Sequence, residues 1–160
     1  MSLRRDPSLI LLSHDHHHGL VCVFEIRQAL RAGQDLDVQA EDTRRFYQQE
    51  LTPHFRAEEE VVFPAIRAAT ATAEAALSRL VDEHRQMRDM VEALDASTQR
   101  LGAFADLLER HIRFEERELF PAYQERVTLA ARSAVDEEVR RILNRTDDQP
   151  RECKLPNGAA

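Results

Sequence analysis

The sequence predicts an all-α protein: an up-down-up-down four-helix bundle with a short extra C-terminal helix and a frayed tail. Three observations predict it. Four long segments repeat their apolar residues at the 3.6-residue helical period. Four Gly and six Pro among 160 residues are too few turn formers for an all-β fold. One dodecamer also occurs twice, HFRAEEEVVFPA from His54 and HIRFEERELFPA from His111. The copies agree at His, Arg, Glu-Glu and Phe-Pro-Ala and drift between, which suits a bundle with approximate two-fold symmetry.

The first helical pattern runs from about Ser8 to Ala32 and stops at Gly33, a suitable C-terminal cap. The second starts near Asp42 and continues to about Ala69, with Pro53 and Pro64 inside it. The third spans about Ala73 to Leu94, and Asp95 to Ser97 supply turn and N-cap chemistry for the next. The fourth covers about Thr98 to Val127, with Pro121 inside. The three prolines each remove a backbone hydrogen bond and should bend or loosen their helices. A shorter fifth pattern, SAVDEEVRRILNR, caps the bundle or packs outside it. Short connections make neighbouring helices antiparallel. Residues 1–145 are expected to form one domain, and residues 146–160, which lack an apolar period, a flexible tail.

A chain of this length buries roughly two-thirds of its unfolded surface. With 42 % hydrophobic and 32 % charged residues it is a soluble globular type. The excess of 29 acidic over 22 basic residues, a net charge of −7, argues against a nucleic-acid partner. Cys22 and Cys153 are too few for a disulfide framework, and Cys22 reads as a small buried hydrophobe. The start, MSLRRDPSLILLSHDHHHGL, breaks its apolar run with histidines before a cleavage site could form. No apolar run reaches the ~20 residues of a membrane span. The expected location is the cytoplasm, away from any membrane, as a monomer or homodimer.

The duplication extends past the dodecamer. LLSHDHHHGL in the first helix resembles RLVDEHRQM in the third, each placing an acid before a histidine, Asp15-His16 and Glu83-His84. His54 and Glu58 are four apart, so on a helix they share a face one turn apart, as do His111 and Glu115. His16 shares its face with Leu12, Leu20 and Val23, and His84 with Leu80, Met87 and Val91. Four inward imidazoles and two inward carboxylates are costly in a core unless something neutralises them. A mixed nitrogen and oxygen donor set suits iron, manganese or zinc. Two carboxylate bridges with two histidines per ion fill four positions on each, and a bridging oxide or hydroxide makes five. Di-iron carboxylate bundles with Glu-x-x-His pairs use comparable donors.

Other residues read more plainly. His14, His17 and His18 form an exposed cluster, although His17 competes with His16 because it faces Leu20, Val21 and Phe24. His16 is preferred because it follows an acid, as His84 does. Glu59 and Glu116 read as surface charges, and Phe63 and Phe120 as core fillers beside the site.

An acid-His on helix one, His-x-x-x-Glu on helix two, His on helix three and His-x-x-x-Glu with Phe-Pro on helix four resemble the hemerythrin-like, HHE cation-binding domains. The resemblance covers about residues 8 to 127. It implies a non-haem di-iron site in which His16 and His54 bind one iron and His84 and His111 the other. Glu58 and Glu115 would bridge. It further implies binding of dioxygen or nitric oxide, or iron sensing or handling. Oxygen-carrying hemerythrins place two histidines four apart on helix three, whereas here the positions four either side of His84 are Leu80 and Arg88. Glu59, Glu83 or water would have to fill that gap, and reversible oxygen carriage is the function it disfavours. The alternatives are a di-iron redox enzyme or iron-centre repair protein, and a bundle whose histidines serve structure alone.

Overall fold

The computed structural model describes residues 4–146, and these are all-helical, with five helices and no strand. Helix α1 (Pro7–Ala32) starts where the Asp6 carboxylate accepts from the Ser8 N–H, with Pro7 in the first turn. It ends at Gly33, whose φ of 61° is the left-handed conformation that glycine adopts without strain. Helix α2 covers residues 36–69. It begins earlier than expected from its apolar period, because Asp35 accepts from the N–H groups of Asp37 and Val38 and caps a polar first turn. A 3₁₀ turn, Ala71–Ala73, leads into α3 (Glu74–Glu92). Ser97 caps α4, which covers residues 98–126. The last helix, α5 (Leu129–Leu143), starts at a Thr128 cap, before the SAVDEEV pattern, and stops at Asn144 with φ 51°. The predicted tail, Thr146 excepted, and Cys153 lie outside the described residues.

Each proline beyond the first turn of its helix follows a π-turn. The turns Tyr47–Leu51, Glu58–Val62 and Glu115–Leu119 precede Pro53, Pro64 and Pro121. Proline has no N–H and its ring crowds the carbonyl four residues back, so the ladder shifts register there. The N–H of Phe63 accordingly reaches the Glu58 carbonyl, and that of Phe120 the Glu115 carbonyl. The repeated Phe-Pro thus widens the helix at the repeated glutamate.

Two apolar clusters form the core. One holds Leu9, Leu12, Val62, Phe63, Leu77, Leu80, Leu119, Phe120 and Tyr123, and the other holds Val23, Ile26, Leu51, Met87, Val91, Leu101, Phe104, Leu108 and Ile112. Along α1 the chain passes from the first cluster through His16 to the second, and along α3 it does so through His84. Along α2 and α4 the order reverses, with Glu58 and Glu115 near the crossing. A polar layer is therefore enclosed between two dry ones. Helices α1 and α4 approach closely at Gly19, where a Cβ would sit 2.6 Å from Ile112 Cδ1. Helix α5 lies along α1 and the middle of α2, and its Val135, Val139 and Leu143 enter the first cluster. No helix among the described residues is long and apolar enough to cross a membrane.

Candidate metal centre

The helical spacing of His54 with Glu58, and of His111 with Glu115, turns both pairs into the polar layer, where His16 and His84 meet them. All six side chains are buried, 4 % exposed at most. They form two groups. The donor atoms of His16, His54, Glu58 and Glu115 lie within 4.8 Å of one another, and so do those of Glu58, His84, His111 and Glu115. Glu58 and Glu115 belong to both.

The oxygens divide between the groups. Glu58 Oε1 lies 3.1 Å from His54 Nε2, and Glu58 Oε2 lies 3.4 Å from His84 Nε2. Glu115 Oε2 lies 3.0 Å from His16 Nε2, and Glu115 Oε1 lies 3.3 Å from His111 Nε2. The Nε2 atoms of His16 and His54 are 3.1 Å apart, as are those of His84 and His111. Each carboxylate thus offers one oxygen to each histidine pair.

The outer edge of every ring is held by another carboxylate. His16 Nδ1 is 2.7 Å from Glu116, His84 Nδ1 is 2.7 Å from Glu59, and His111 Nδ1 is 2.7 Å from Glu83. His54 Nδ1 is 3.3 Å from Asp15. A carboxylate only accepts, so each Nδ1–H donates and each Nε2 is left facing inward. Glu59 and Glu116 are therefore not simple surface charges. Asp15 and Glu83, the acids of the two acid-His pairs, grip the histidine of the following helix. Asp15 in turn accepts from Arg145 Nη1 at 2.5 Å, a buried contact across 130 residues of chain.

Residues 9–123 match the hemerythrin HHE cation binding domain. The chain belongs to that family. No curated protein and no solved structure matches it.

The residues present fit the cation of a hemerythrin domain. All four oxygens of Glu58 and Glu115 are buried without a hydrogen-bond partner. Leaving such groups unsatisfied costs about 1–3 kcal/mol each. Two nitrogens bound at right angles to one ion, each at about 2.1 Å, stand about 3.0 Å apart, close to the observed Nε2 separations. Without a cation, protons take its place. Burial pushes the His54 imidazole down, but Glu58 and Asp15 outweigh it and lift it to about 9. His84 is likewise pushed down by burial and lifted to about 9 by Glu58 and Glu59. Burial also opposes charge on His16, yet Glu115, Glu116 and Glu58 hold it well above 6.5. Burial raises Glu58, and His54, His16 and His84 more than reverse this, so its carboxylate lies well below 4.5.

Within this hemerythrin-family centre, the structure brings His16 rather than His17 to the donor groups; His17 is exposed. The expected exposed cluster also breaks up, because His18 is buried beside Asp15 and Glu50 and His14 is half-buried. Phe120 stacks on His16 with centroids 5.2 Å apart and Phe63 on His84 at 5.9 Å. The repeated Phe therefore covers the histidine of the partnering helix. Phe55 adds a closer stack on His84, at 3.9 Å. Nothing fills the place of a fifth histidine on α3: Leu80 is buried in the first apolar cluster and the Arg88 side chain is half exposed. Glu59 and Glu83 meet outer ring nitrogens instead.

Proposed function

We propose that this hemerythrin-family chain is a non-haem di-iron protein that binds dioxygen or nitric oxide, or senses or handles iron. In it His16 and His54 hold one ion, His84 and His111 hold the other, and Glu58 and Glu115 bridge them. The observation that carries this is the division of each glutamate's two oxygens between the two histidine pairs. The nitrogen and oxygen donors also accept manganese or zinc. Bound iron supplies a redox couple and open coordination positions for a diatomic ligand.

The chain's own residues prepare that chemistry. Asp15, Glu59, Glu83 and Glu116 fix the rings through Nδ1 and make the inward nitrogens better donors. The two apolar clusters close the layer from both ends of the bundle. All four of these acids are engaged with histidines, which favours a binding role over a redox enzyme or iron-centre repair protein that must deliver protons. The order of the clusters along α1 to α4 supports an up-down-up-down bundle, formed by one domain ending near residue 145. A cytoplasmic monomer or homodimer without nucleic-acid or membrane partners completes the proposal.

The test is anaerobic iron loading followed by optical spectra with dioxygen and with nitric oxide. Reversible bleaching on removing oxygen indicates carriage. Irreversible oxidation indicates sensing or catalysis. Retained iron with no spectral response to either gas removes the diatomic ligand and leaves iron handling.

A further inference from the structure

The two halves of the centre repeat each other in sequence, but the rest of the protein supports them unequally. Around His16 and His54 the outer carboxylates are locked. Asp15 is buried and bound by the buried Arg145. Glu116 is held by the Arg5 guanidinium and by Ser13 Oγ at 2.7 Å, and Arg5 lies 5.1 Å from the Phe120 ring that covers His16. Around His84 and His111 they are less firmly held. Glu83 is buried beside His111, but the guanidinium it pairs with among the described residues, that of the half-exposed Arg79, stands 3.6 Å away, with the charge of Arg110 acting on it as well. Glu59 is 41 % exposed and, among the described residues, meets no cation but His84.

The surface is open at the same place. A groove of about 350 Å³, bordered by Tyr47, Thr52, Phe55, Glu59 and Arg88, reaches His84. The Phe55 ring that lines it stacks on His84. A hydrogen-bonded outer carboxylate holds a metal-binding imidazole in place, so an exposed and unsupported one lets its ring swing away more readily.

We infer that the two metal positions are inequivalent, with the His84–His111 position, beneath the groove at Phe55 and Glu59, the one from which the ion exchanges. This rests on the two-ion centre proposed above. Glu59 is a positioning residue for the exchangeable ion, and Arg145 and Arg5 are positioning residues for the retained one.

The experiment is release of iron(II) from the anaerobically loaded full chain to a coloured chelator, after its metal content has been measured. Two ions per chain, leaving in two equal phases with rates about tenfold or more apart, is the expected result. Glu59→Gln should speed the fast phase about tenfold and leave the slow one unchanged. Arg145→Ala and, independently, Arg5→Ala should speed only the slow phase. Thr52→Trp, which fills the groove from an exposed position, should slow only the fast phase. A load of one ion or none overturns the two-ion centre itself. Two ions leaving in a single phase, or Glu59→Gln acting on the slow phase, overturns the inequivalence and leaves the two-ion centre standing.

Discussion

In the metal-free protein the imidazoles should carry the positive charge that the cation carries otherwise, and alkaline pH should remove it. His54 and His84 stand at about 9 against the ordinary 6.5, one in each facing pair of Nε2 atoms. A group raised on folding contributes stability that is fully present below its unfolded value and lost as pH rises through its folded one. The loss therefore falls between about pH 6.5 and pH 9. A gap of about 2.5 pH units at about 1.4 kcal/mol each is about 3 kcal/mol for one histidine. Both draw on Glu58, so their contributions overlap and about 3 kcal/mol is taken for the pair. For a chain of this size that lowers Tm by roughly 6–12 °C. The assay is thermal unfolding followed by circular dichroism, in chelator, at pH 6.5 and pH 9.5. Metal-loaded protein should keep or raise its Tm over the same window, because binding displaces those protons. A metal-free Tm that is flat or rises with pH would refute this account of the buried charge.

Further outcomes are expected at single residues. Glu58→Ala and Glu115→Ala should each deplete both ions, whereas His16→Ala should mainly lose one; elemental analysis of the three purified variants distinguishes them. Ser8→Ala should lower stability by about 1–2 kcal/mol with metal content unchanged, because the buried Tyr123 hydroxyl shares a hydrogen bond of 2.9 Å with Ser8 Oγ. On the acid side, burial raises the Glu116 carboxyl but His16, Ser13 and Arg5 bring it to about 2. Its contribution is present above about pH 4.5 and should fade as pH falls toward 2, read as a loss of helical signal in acid titration.

The inward residues were legible because a helix fixes them. Spacing of four puts His54 over Glu58 and His111 over Glu115, and the apolar neighbours of His16 and His84 mark a core-facing stripe. The outer carboxylates carried a weaker signal. One residue after an inward glutamate points about 100° around the axis, away from the face that periodicity selects. Glu59 nonetheless reaches a ring on the next helix. Its identity with Glu116 in the two dodecamers was the available clue, as strict as that of Glu58 with Glu115. The early start of α2 was signalled by Asp35 but hidden by a polar first turn that shows little apolar period. Arg145 left no local trace. Its role follows from where α5 docks, and a contact between residues 15 and 145 is a property of packing rather than of any sequence window.

The most direct measurement is the metal content of the protein expressed with ample iron, taken together with that of the Glu58→Ala, Glu115→Ala double variant. The bridged centre predicts two iron ions per chain in the parent and loss of both from the double variant, with the helical signal retained. One zinc and no iron in the parent, or two ions still bound in the double variant, would contradict it.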